Sequence, residues 1–209
     1  MAQILRNRLR RNSSSLGLLV ATAMQLPASL THAADMGGTI PGLSQSSVTV
    51  QVQHQTIDLP CDFDVFNRTL VHLLGHYDPS DTLIAPTDLK KSLDLLHASQ
   101  GEQGLMLFDG SNDHGALFPL IGKPARKAIR YHLGNPLIAV KMTQKNIGAA
   151  LYAPLTILVY EVSPGSVRVE YDLPSSSFGQ FHDKDIDQVA ATLDSKLSSL
   201  LVKAAGAQR

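Results

Sequence analysis

Apolar positions along this chain recur with two periods, two and about 3.6, and the switches between them predict its elements. Val48, Val50 and Val52 alternate with Thr49, Gln51 and Gln53, as in a half-buried strand. After a turn at Leu59-Pro60, Asp62 or Asp64 can cap a helix whose Phe66, Leu70, Leu73 and Leu74 recur at three- and four-residue spacing until Gly75. A weaker helical pattern over Asp81 to His97 (Leu89, Leu93, Leu96) has Pro86-Thr87-Asp88 as a start signal and is followed by breaks at Gly101 and Gly104. Leu105 to Phe108 is a short apolar run of central-strand type. Lys127 to Leu133 is a second strand, with Ile129, Tyr131 and Leu133 on one face and Arg130 and His132 on the other.

Between Met142 and Tyr152, small Gly148, Ala149 and Ala150 with Ile147 and Leu151 predict a short helix packed on the sheet. Leu155 to Glu161 and Ser166 to Asp172 flank Ser163-Pro164-Gly165 and read as a hairpin whose Val167, Val169 and Tyr171 face the core. Ile186, Val189, Ala190, Leu193, Leu197, Leu200 and Leu201 form a long helical stripe, with Asp185 and Gln188 spaced as a capping box. This order predicts an α+β two-layer sandwich, a mostly antiparallel sheet covered by an N-terminal and a long C-terminal helix.

The first residues change the picture of where this domain works. Arg6, Arg8, Arg10 and Arg11 precede the apolar run Leu16 to Met24, which is too short to span a bilayer, and Thr31-His32-Ala33 offers small residues at the positions a signal peptidase reads. Residues 1–33 therefore read as a signal peptide, 34–46 as a Gly-, Ser- and Pro-rich leader, and 47–205 as one domain, expected in the periplasm or outside the cell without a stable membrane anchor. Asn12 to Ser15 lack the apolar pair of a twin-arginine signal, so ordinary secretion is the reading. Removal of residues 1–33 leaves 14 basic against 18 acidic side chains, net −4, which lacks the cationic excess a nucleic-acid surface needs.

Candidate chemistry lies between Asn112 and Glu161, where polar residues interrupt apolar strands beside Gly and Pro turns. Asp113-His114 sits at a strand end, where a carboxylate can orient an imidazole or simply cap the next turn. Gly134-Asn135-Pro136 is a turn by composition, and Lys141 is a nearby cation. Asp113, His114, Asn135 and Lys141 are therefore the candidate ligand-binding residues, for a small or anionic ligand in one cleft. Lys123, Arg126, Lys127 and Arg130 form the basic cluster, either an anion site or a solvated strand edge. His72 and His76 have ligand-like spacing, but no acid or third ligand accompanies them, and no metal site is expected there. Cys61, the only cysteine, is buried, bridged to a second chain, or a reactive thiol, and no motif names a cofactor. A redox or acid/base enzyme using Cys61 or Asp113-His114, and an assembly dimer without a ligand, are the alternative functions.

Asp113-His114, Gly134-Asn135-Pro136, the following Met142, and Ala153-Pro154-Leu155 leading into LTILVYE together resemble the domain of unknown function 302 family over about residues 105–175. That resemblance implies a small α/β domain similar to the TATA-binding-protein-like arrangement, often a homodimer, with no established reaction and no catalytic residues to carry over. Members read DHAANA where this chain has Asp113-His114-Gly115-Ala116-Leu117-Phe118.

Overall fold

A computed structural model describes residues 42–206. The expected signal peptide, and the leader up to residue 41, lie outside the described residues. Residues 42–46 are exposed and form no helix or strand. Residues 47–206 form one compact unit.

Six strands, β1 (His54–Leu59), β2 (Gly75–His76), β3 (Met106–Asp113), β4 (Ala128–Gly134), β5 (Leu155–Ser163) and β6 (Ser166–Asp172), make one sheet in the order β1-β6-β5-β4-β3-β2. Every neighbouring pair is antiparallel except β2 with β3. The helices are α1 (Phe63–Leu73), α2 (Ser80–Leu83), α3 (Leu89–Ala98), α4 (Pro136–Thr143), α5 (Pro174–Phe178) and α6 (Lys184–Gly206). The expected α+β class and mostly antiparallel sheet are therefore what the chain forms.

Side chains of a strand alternate between faces, so β4, β5 and β6 turn Tyr131, Leu133, Ile157, Val159, Val167, Val169 and Tyr171 to one side. Phe66 and Leu70 of α1 and Ile186, Leu197, Leu200 and Leu201 of α6 complete the core against them, each almost fully buried. Each such side chain contributes about 1.5–3 kcal/mol relative to exposure, which is what holds the helices to this face. The opposite face carries Arg130, His132, Thr156, Leu158, Tyr160, Arg168 and Glu170, and among the described residues no helix of the core lies over it.

Four local expectations change in the structure. The strand expected over residues 48–53 forms six residues later, as β1, and Val48 and Val52 are 84% and 46% exposed. Pairing with β6 decides this, because the register His54↔Asp172 to Leu59↔Val167 places Ile57 and Leu59 against the core. The helix expected over Met142 to Tyr152 is instead α4, starting at Pro136, and a separate 3-10 helix at Ile147–Tyr152 with Ile147 and Leu151 turned to solvent. Asn135 and Pro136 form an N-cap and first helical residue rather than an isolated turn: Asn135 Oδ1 accepts from the Leu137 amide at 2.8 Å. The cap of α6 is Asp183, whose Oδ1 accepts from the amides of Asp185 and Ile186 at 2.8 and 3.1 Å, so Asp185 lies inside the first turn. Asp62 caps α1 by accepting from Val65 N at 2.9 Å.

Leu197→Ala should destabilise the domain by about 2–5 kcal/mol through lost burial and a residual cavity, whereas Ile147→Ala should change stability by no more than about 0.5 kcal/mol. Urea unfolding of both variants checks the assignment, and a large loss at Ile147 would contradict the exposed 3-10 helix.

Candidate functional site

The uncovered sheet face becomes concave because the β3–β4 connection folds over it. Asp113 ends β3 and its Oδ1 accepts from Ala116 N at 3.0 Å, starting a 3-10 helix over Gly115–Ile121. The connection closes where Arg126 N donates to Gly115 O at 3.1 Å. A Cβ on Gly115 would lie 1.8 Å from the Arg126 carbonyl oxygen, so only glycine permits this closure.

His114, Phe118 and Arg126 of this connection form one wall of a groove of about 640 Å³. Its floor is Ala128, Arg130, Leu158 and Tyr160, and its far end is His54, Glu170 and Asp172. The register Arg130↔Leu158↔Glu170 sets a cation, an apolar side chain and an acid in one row across β4, β5 and β6.

The cations in this region are not equivalent. Lys127 points to the other face, 2.8 Å from Asp64 and 3.6 Å from Glu161, and Arg168 binds Asp58 through Nε and Nη2 at 2.6 and 3.0 Å. Among the described residues, Arg126 and Arg130 have no ion-pair partner; Arg126 lies 5.7 Å from the centre of the Phe118 ring. Arg130 Nε is buried without a hydrogen-bond partner, an arrangement that costs about 1–3 kcal/mol. Desolvation, and then the charge of Arg130, hold the neighbouring His132 below the ordinary imidazole range.

At the far end, His54 Nδ1 lies 2.9 Å from Asp172 Oδ1 and its Nε2 3.5 Å from Glu170 Oε2. The Asp172 hydrogen bond raises the His54 pKa above 6.5. Tyr160 donates to Glu170 Oε1 at 2.7 Å, and that bond raises the phenol pKa.

The four residues expected to share a cleft do not surround one cavity. His114 is in the groove, and Asp113 is its backbone cap. Asn135 is 5% exposed, lines a separate pocket of about 220 Å³ with Tyr77, Phe108 and Met142, and donates through Nδ2 to Gly104 O at 2.7 Å. Lys141 is on the exposed side of α4 and lines neither cavity. Antiparallel pairing separates them: Asp113 is opposite Ile129, and Asn135 lies six residues further along the strand direction, about 20 Å away. Arg126 and Arg130, read from the sequence only as part of a basic cluster, take their place, and the alternation Arg126, Ala128, Arg130, His132 was the signal that separates them from Lys127.

His72 is on α1 but His76 is on β2, so the two do not share a helix face. Among the described residues no group of three His, Cys, Asp or Glu side chains is placed to hold a metal ion. Cys61 is 5% exposed within the core and does not line the groove. Among the described residues no helix is long and apolar enough to cross a membrane.

The model of the Domain of unknown function DUF302 family matches residues 81–204. The structure is similar to the crystal structure of the uncharacterized conserved protein DUF302 from Bacillus stearothermophilus, with a TM-score of 0.51 and 14% identity over 72% of this chain and 97% of that one, a likeness of fold. No curated protein matches the chain.

The His54 pairing has a pH consequence. A raised folded pKa means that the stabilisation is fully present below the unfolded value near 6.5 and is lost as pH rises through the folded value. NMR titration should place the His54 midpoint above 6.5, and Asp172→Asn should move it down; an unmoved midpoint would refute the pairing.

Proposed function

The chain belongs to the DUF302 family, and from this premise we propose that it is a binding module, exported to the periplasm or beyond, which holds a small anion with an apolar body in the groove over β4, β5 and β6. The observation that carries this reading is the buried, unbonded Arg130 Nε–H in a groove that Arg126, a second guanidinium without an ion-pair partner among the described residues, also lines. A carboxylate or phosphate oxygen would satisfy that donor, and the planar guanidinium fork suits such groups. Phe118, Ala128, Leu158 and Tyr160 offer the apolar contact that a few placed polar groups orient. His114 is the one expected site residue this reading keeps in contact with the ligand; Asn135 and Lys141 become, respectively, a helix cap and a surface cation. Export rests on the basic and apolar segments of residues 1–33.

Titration of the full chain with hexanoate, followed by NMR, should give saturable shifts at Arg130, Leu158 and Tyr160, and a rise in the His132 pKa as the anion offsets the neighbouring guanidinium. Arg130→Met, which keeps the apolar stem, should weaken binding about 10- to 100-fold through loss of a charge-assisted hydrogen bond. Lys141→Ala should leave affinity unchanged. Equal losses from Arg130→Met and Lys141→Ala, or shifts confined to the Asn135 pocket, would overturn the placement.

A further inference from the structure

The groove is electrically asymmetric along its length. Arg126 and Arg130 stand at the β4 end, while the β6 end presents Glu170 and Asp172 facing only the single imidazole of His54. With His54 protonated that end carries one net negative charge, and with His54 neutral it carries two. The other charged group on this face of β6, Arg168, binds Asp58 on the β1 side and also interacts with its β5 neighbour Tyr160. Tyr160 occupies one position on Glu170 Oε1, and His54 approaches Glu170 Oε2 and Asp172 Oδ1. A carboxylate offers about four acceptor sites, so both acids retain capacity for a further donor.

The sheet keeps these opposite charges apart. Arg130 and Glu170 are in register with Leu158 between them, two strand spacings or about 10 Å from backbone to backbone. Direct cross-strand pairing, the usual way a sheet face satisfies such charges, is closed to them because they occupy non-adjacent strands. A molecule lying across β5 can meet both, with an uncharged middle over Leu158.

Building on the anion site proposed above, we infer that the ligand is amphoteric: an ω-amino acid or a zwitterion of similar span, with its carboxylate between Arg126 and Arg130 and its ammonium received by Glu170 and Asp172. The direction across the sheet is set by the charges, and the length of the aliphatic middle by the strand spacing.

Three probes of matched chain length test this: hexanoate, hexylammonium and 6-aminohexanoate, each titrated into the full chain by NMR and calorimetry. The aminohexanoate should bind about tenfold more tightly than hexanoate, one added charge-assisted contact, although the ammonium makes it the more water-loving molecule. Glu170→Gln and Asp172→Asn should each reduce that advantage, and thermal unfolding shows that each variant is folded; an advantage kept in full by both variants would overturn the ammonium end. Hexanoate binding at Arg130 with no advantage for 6-aminohexanoate would overturn the amphoteric ligand and leave the anion site standing. Failure of both acids to bind would overturn both, and tighter binding of hexylammonium than of either acid would overturn the Arg130 end.

Discussion

Antiparallel pairing of β4, β5 and β6, with nearly all large apolar side chains turned to one face, is the constraint on which the rest of this structure depends. It creates a surface broad enough for α1 and α6 to bury Phe66, Leu70, Leu197 and Leu201, and it sends every intervening residue to the other side. A one-residue slip would exchange the two sets, bringing Arg130, Arg168 and Glu170 into the core at a cost no ion pair there would offset. The core and the groove are thus two consequences of one register.

The outer face shows how charge is distributed once that register holds. Arg168 finds Asp58 on the adjacent β1, and Lys127, turned the other way, finds Asp64 and Glu161. Arg130 has Leu158 as its β5 neighbour on the same face, and the connection carrying Phe118 and Arg126 folds close to it. On the function proposed above, a cation enclosed by apolar groups and another cation would gain from pairing with an anion, because the electrostatic benefit of pairing is larger where water is partly excluded. Gly115 lets the backbone at Arg126 approach closely enough for that enclosure to form.

Much of the fold was legible because it rests on local periodicity. The α6 stripe, the β5–β6 hairpin and the facing of Ile129, Tyr131 and Leu133 follow from spacing alone, since a helix or strand presents its apolar side whatever lies opposite. Boundaries were less legible. Val48 to Val52 alternate as well as β1 does, yet only His54–Leu59 pairs with β6; β2, two residues long, has no periodicity to read. The site was legible in kind more than in place: polar residues at strand ends marked the region, and His114 does face the groove, but Asn135 lies at the other end of β4.

The amino-acid sequence by itself determined the class of fold, the faces of its strands, and the basic cluster from which the groove draws Arg126 and Arg130, because each depends on neighbours a few positions away. Only the tertiary structure decided which cations remain without a carboxylate, which polar residues are spent on backbone caps, and that Arg130 and Glu170 stand in one row on either side of Leu158. Those outcomes depend on strand order and register, which join residues 40 positions apart and are set by the burial of the whole sheet rather than by any segment of it.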